Sequence, residues 1–166
     1  MPFVHIRIAG GDFAAAQVQQ LQTVVTQLMA EIMGKKADLT AVLVEHTADT
    51  LWSIGGEPVS VAAHLDVKVT AGTNTPEEKA AFVAAASQLF KDTLGPNLPL
   101  ATYVVVHEIE ANAWGYDGRT QQARRASAPV APRSVERAIA PRSALSDTLM
   151  AVVRLLTFSR ERRRLS

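Results

Sequence analysis

The chain repeats itself at an interval of about sixty residues. Val4, Ile6 and Ile8 alternate with His5 and Arg7, and 61 residues later Leu65, Val67 and Val69 alternate with Asp66 and Lys68. A period of two marks each run as a strand with one apolar and one polar face. Each strand runs into an Ala-Gly step, Ala9-Gly10 and Ala71-Gly72, and then into a segment whose apolar residues have helical spacing. In the first segment these are Val18, Leu21, Val25, Leu28 and Ile32, with Asp12 placed to cap the helix and Gly34 to stop it. In the second they are Val83, Ala86, Leu89 and Phe90. Thr75, Pro76 and Glu78 form a capping box with proline at the first helical position, and Gly95 ends the helix.

A second apolar strand follows each helix, Ala41-Val42-Leu43-Val44 and, 62 residues on, Tyr103-Val104-Val105-Val106. A glycine-containing turn led by tryptophan comes next, Trp52 to Gly56 and Trp114 to Gly118, and the two tryptophans are also 62 apart. Parallel strands joined through a helix cross over right-handedly, so each half is a β-α-β unit. Two such units pack as one four-stranded sheet with both helices on one face, an α+β fold with pseudo-twofold symmetry. The expected domain is 1–122, with repeat units at about 2–60 and 63–120. The other sheet face carries His5, Arg7, Asp66 and Lys68, and suits either solvent or the central channel of a ring.

Composition closes off several chemistries. With no cysteine there is no disulfide, thiolate metal site or cysteine nucleophile, and the histidines at 5, 46, 64 and 107 lack metal-ligand spacing. Neither a metal nor another cofactor is expected. No run approaches the ~18 apolar residues of a membrane span, and a cytoplasmic location without membrane contact is the expectation. The net charge of +1 conceals an asymmetry: residues 1–118 hold 6 Lys/Arg against 13 Asp/Glu, and residues 119–166 hold 11 Arg against 3 acids.

Met1 is followed at once by Pro2, and removal of the methionine would start the chain with a secondary amine held at the head of a strand. An exposed α-amino group titrates at roughly 7.7 to 8.0, and desolvation or a nearby cation lowers that value, leaving a neutral base at physiological pH.

These residues resemble the tautomerase superfamily, specifically a fused pair of 4-oxalocrotonate tautomerase-like units. The likeness rests on Pro2, on Leu39-Thr40-Ala41-Val42 opening the second strand, and on the Trp52 to Gly56 turn. Gly34-Lys35, Tyr103 and the Asn112 to Trp114 segment are similar to the macrophage migration inhibitory factor-like branch. The resemblance implies an isomerase in which Pro2 moves a proton between carbon and oxygen of a small 2-oxo acid or its enol, and a homotrimer with sites near subunit boundaries. It implies Lys35 as the cation beside the proline, although Lys35 and Lys36 would also favour a helix C-terminus through the macrodipole. Tyr103 is then a donor reaching a neighbour's pocket, Trp52 and Trp114 flank the site, and His64, near the start of the third strand, is an option for a general acid. Where 4-oxalocrotonate tautomerases carry substrate-binding arginines this chain has Asp12 and Leu43, which leaves open a hydratase or dehalogenase of a small unsaturated acid, or a binding protein without turnover.

Residues 123–166 are set apart as a linker and helix. An Ala, Pro, Ser and Arg-rich stretch from 124 to 143 suits an extended linker. Beyond it Ser146 can cap a basic amphipathic helix bearing Leu149, Val152, Val153 and Leu156. One short basic run without interleaved aromatics does not suggest a nucleic-acid partner.

Overall fold

A computed structural model describes residues 1–48 and 51–127, so the amphipathic segment expected after Ser146 lies outside the described residues. Strand β1 (Phe3–Gly10) leads into helix α1 (Ala15–Glu31), a 3-10 turn (Ala37–Leu39) and strand β2 (Ala41–Thr47). A small hairpin, β3 (Ser53–Ile54) and β4 (Glu57–Pro58), closes the first unit. The second runs through β5 (Val61–Thr70), α2 (Pro76–Leu94) and β6 (Tyr103–Ile109) to a matching hairpin, β7 (Gly115–Tyr116) and β8 (Arg119–Thr120), and then helix α3 (Gln121–Ser127).

The four long strands form one sheet in the order β2-β1-β5-β6. β1 pairs with β2 in parallel and β5 with β6 in parallel, while β1 and β5 meet antiparallel about the pseudo-twofold axis. The period-two pattern places every second side chain under the helices. Val4, Ile6, Ile8, Leu65, Val67 and Val69 are buried there with Leu21, Val25, Met29, Phe82 and Phe90 from the two helices. α1 and α2 lie side by side with their directions opposed. Gln17 Nε2 at the start of α1 donates to the Thr93 carbonyl at the end of α2, and Asn74 Nδ2 ahead of α2 donates to the Met33 carbonyl past the end of α1.

The caps divide. At α2, Thr75 Oγ1 accepts from the Glu78 N–H and the Thr75 N–H donates to Glu78 Oε2, with Pro76 first in the helix and Gly95 ending it at φ +90°. Asp12 does not cap α1. The cap position is Ala14, whose N–H donates to Gln17 Oε1, so the glutamine replaces the expected aspartate. Val83 is another correction. It is exposed, and Phe82 beside it takes the core position, because the buried stripe of α2 runs through Phe82, Ala86, Leu89, Phe90 and Thr93. Both hairpins turn on residues with positive φ, Gly55-Gly56 and Asp117-Gly118, which suits the tight two-residue connection of a twisted ribbon.

The free face of the sheet is a set of cross-strand pairs. His5 Nε2 lies 2.6 Å from Glu45 Oε2, with Arg7 Nε at 3.4 Å from the same oxygen, and His107 Nε2 lies 2.7 Å from Asp66 Oδ1. The two halves exchange roles: histidine sits on the first strand of unit one and on the second strand of unit two. The His5 hydrogen bond holds the Glu45 carboxyl below its ordinary value. At Asp66 partial burial pushes upward, and the His107 hydrogen bond with the charges of His64 and His107 outweighs it. No helix among the described residues is long and apolar enough to cross a membrane.

Candidate active site

Pro2 is buried at the head of β1, and its carbonyl accepts from the Ala41 N–H at 3.3 Å, which fixes the start of the chain to the start of β2. The 3-10 turn over 37–39 delivers β2 to that position. In the chain that carries Met1, the terminal amine stands one residue ahead of the proline ring. Burial lowers its pKa from the ordinary value, and the charges of Lys35, Arg124 and Lys36 lower it further.

Lys35 reaches this end of the sheet because Gly34, at φ +62°, turns the chain back after α1 and lets the Lys35 N–H bond the Met29 carbonyl. Its Nζ donates to Thr73 Oγ1 at 2.9 Å, and Thr73 Oγ1 in turn donates to the Thr70 carbonyl. Burial lowers the Lys35 pKa, with the charge of Arg125 acting in the same direction and Glu78 and Glu108 opposing it. The Glu108 carboxyl is held low by the Lys79 side chain, at 2.8 Å, and by the Gly72 N–H.

Trp114 arrives at the same end because β6 finishes at Ile109, opposite Thr70, and the chain then turns through residues 110–113. Its indole N–H is buried without a hydrogen-bond partner. The other named residues lie elsewhere in the chain. His64 pairs with Arg7 of β1 and Tyr103 of β6, five residues along from Pro2, which at ~3.3 Å per residue is about 16 Å. Its Nε2 is 3.5 Å from Asp66 Oδ1 and makes no hydrogen bond. Trp52 lies beyond the far end of β2, lining a cavity of about 780 Å³ with Arg7, Glu45, Thr47 and Leu51. Within one chain, therefore, Pro2, Lys35 and Trp114 occupy one end of the sheet, Trp52 lies beyond the other, and His64 and Tyr103 sit between them at the level of Arg7. Pro2 does not line the 780 Å³ cavity.

The residue that sequence reasoning missed is Arg124, which fell within the stretch read as linker. Residues 121–127 are instead helical, and the compact fold continues past the boundary expected at 122. The signal was present: Thr120 Oγ1 accepts from the Ala123 N–H at the head of this helix, and Gln121 to Ala126 contains only residues a helix tolerates. The proline-rich composition beginning at Pro129 hid it. Among the described residues no group of three or more His, Cys, Asp or Glu side chains is placed to hold a metal ion.

Comparison with known proteins agrees with this architecture. A probable tautomerase from Dickeya dadantii (strain 3937) is 42% identical over 60 residues, a match covering 36% of this chain and 90% of that protein. Among solved structures, a wild-type fused 4-OT asymmetric trimer superposes with a TM-score of 0.65 at 21% identity, covering 74% of this chain and 98% of that one. A macrophage migration inhibitory factor-like protein from Entamoeba histolytica gives 0.58 at 21% identity, covering 72% and 97%. At these identities the structural likeness speaks for the fold. The model of the tautomerase enzyme family matches residues 2–62 and matches again over 64–124. One family unit ends where its duplicate begins, and the chain belongs to the tautomerase enzyme family as a tandem pair.

Proposed function

We propose that this chain catalyses keto-enol tautomerisation of a small 2-oxo acid, with Pro2 as the general base once Met1 is removed. The observation that carries the proposal is the position of the chain start: buried, anchored to β2, and within reach of the positive charges of Lys35, Arg124 and Lys36. With Met1 gone the proline nitrogen is a secondary amine, and the same burial and charges favour its neutral form. The neutral amine takes a proton from the carbon next to the carbonyl, and the electron pair of that C–H bond moves to the carbonyl oxygen as an enolate. Lys35 stabilises the negative oxygen. The protonated proline then gives its proton to that oxygen, yielding the enol and restoring the base. The reverse sequence ketonises an enol. A base of this kind works best with a pKa near the operating pH.

Intact mass together with an enol-acid assay tests this. The expected result is a chain lacking Met1 that ketonises phenylenolpyruvate. A chain that retains Met1 holds its proline nitrogen as an amide without basicity, and that outcome ends the proposal. Loss of Met1 without enol turnover would favour a binding protein, and turnover of an unsaturated acid by addition of water or loss of halide would favour the hydratase or dehalogenase reading.

We further propose a homotrimer. β2 and β6 are the outer strands of the sheet, Leu43 and Tyr103 on its free face are 42% and 64% exposed, and edges of this kind invite pairing between chains. Fused 4-OT relatives of the same fold form trimers. Assembly around a central axis gives Trp52, His64 and Tyr103 a role at the Pro2 end of a neighbouring subunit, which one chain alone does not allow. Light scattering should return about three times the 17.8 kDa chain mass. A stable monomer at micromolar concentration would refute the assembly.

A further inference from the structure

The segment that closes the compact fold holds hydrogen-bond donors that the proton transfer above does not use. Arg124 Nη2 donates to the Tyr116 carbonyl at 2.8 Å and lies 3.5 Å from Asp117 Oδ2, and its guanidinium carbon stands 3.7 Å from the centre of the Tyr116 ring. These contacts fix the plane of the guanidinium and leave its Nε without a partner. Gln121, three residues earlier on the same face of α3, has a buried and unpartnered Nε2, and the Trp114 indole N–H is in the same condition. The Trp114 carbonyl accepts from the Gln121 N–H, so the three donors belong to one local unit. Buried donors without acceptors are costly, and all three can be answered by an anionic oxygen.

The location of this unit decides what the anion is. The Gln122 N–H bonds the Ala111 carbonyl, docking α3 just past β6, whose last residue pairs with Thr70 at the Pro2 end of the sheet. Only β5 separates β6 from β1, so two strand spacings of ~4.8 Å, about 10 Å, lie between them. An arginine side chain and a small acid together span such a gap. A cavity of about 350 Å³ opens on the same hairpin, lined by Trp114, Gly115, Tyr116 and Arg119 but not by Arg124, Gln121 or Pro2. The charge of Arg124 is also felt at the chain terminus, as is that of Lys35.

We propose that Arg124, supported by the N–H groups of Trp114 and Gln121, binds the carboxylate of the substrate while Pro2 works on its α-carbon, so that the substrate is a small monocarboxylate. This rests on the tautomerase proposal, and the experiment separates the two. Arg124→Met keeps an apolar stem against Tyr116, and Arg124→Lys keeps the charge while losing the planar fork. On the alkaline plateau of the pH profile, where the terminal amine is neutral with or without the Arg124 charge, Arg124→Met should raise the KM for phenylenolpyruvate about ten- to a hundredfold with kcat changed by less than about threefold, and the KM for its neutral methyl ester should stay put. Arg124→Lys should recover part of the loss. Calorimetric titration with 3-phenylpropanoate, which has no carbonyl to enolise, should show the same loss of affinity in Arg124→Met. Equal damage to acid and ester, or an unchanged KM for the acid, overturns the assignment of Arg124 and leaves the tautomerase proposal intact. A wild type that binds 3-phenylpropanoate through Arg124 but turns over no enol overturns the tautomerase proposal and leaves the carboxylate site standing.

Discussion

Pro2→Ala is expected to lower kcat for enol-acid turnover by about a hundredfold, at the small end of the 10² to 10⁴ range for a positioned acid-base group. The effect stays at that end because alanine also permits removal of Met1 and leaves a primary amine in place. What it loses is the ring. Proline fixes φ and presents its nitrogen in one orientation, whereas an alanine amine rotates and keeps more of its water. Intact mass has to show that both proteins have shed Met1, and their melting temperatures should agree within a few degrees. An unchanged kcat would remove Pro2 from the chemistry. The pH profile supplies an independent check. The base acts in its neutral form, so activity falls as pH drops through the pKa of the amine, and a lowered pKa carries activity to lower pH. Burial is the larger cause of the lowering at the terminus of the Met1-bearing chain and Lys35 the next. Lys35→Met should therefore move the acidic limb of kcat/KM upward, toward the value of an exposed terminal amine. A downward or absent shift would mean that Lys35 does not act on the base.

The largest loss of stability is expected from Phe82→Ala, about 3 to 5 kcal/mol by urea unfolding at fixed protein concentration. Phe82 is fully buried on the face of α2 that meets the sheet, so truncation removes a large apolar surface and opens a cavity that the surrounding strands cannot close. Val83→Ala is the contrast. Val83 is 37% exposed one position along the same helix, and its truncation should cost less than about 1 kcal/mol. Equal losses at the two positions would mean that α2 turns a different face to the sheet. Fixed concentration matters because assembly adds to apparent stability by mass action.

The phase of α2 also shows how far helical spacing can be read. Val83, Ala86, Leu89 and Phe90 satisfy the period, and so do Phe82, Ala86, Leu89, Phe90 and Thr93. At about 100° per residue Val83 falls at the edge of a stripe whose middle holds Phe82, Ala86 and Thr93, so the two sets share Ala86, Leu89 and Phe90. Only contact with the sheet chooses Phe82, the larger side chain. The same limit applied at α1, where Asp12 is a good cap by type but Gln17 served the terminus, because Gln17 could bond both the Ala14 N–H and the end of α2. By contrast Thr75, Pro76, Glu78 and Gly95 were legible, since a capping box and a terminal glycine depend on neighbours within one turn.

The site divides in the same way. Pro2 and the Gly34-Lys35 step could be named because position in the chain and local helix chemistry single them out. Arg124 could not, since its importance comes from a helix that folds back on residues 111 to 116 in a segment whose composition reads as linker. Nor could the sequence reveal that Trp52 stands beyond the opposite end of the sheet from Pro2, with His64 and Tyr103 five residues along from it at the level of Arg7.

Strand alternation, helix spacing and the 61- to 62-residue echo determined the two β-α-β units, because each is a short-range pattern that burial of one face enforces. The antiparallel meeting of β1 with β5, the face that α2 turns to the sheet and the placement of Lys35, Trp114 and Arg124 toward the Pro2 end of the sheet were decided only by the tertiary structure. They depend on contacts between residues far apart in sequence, whose packing no local periodicity encodes.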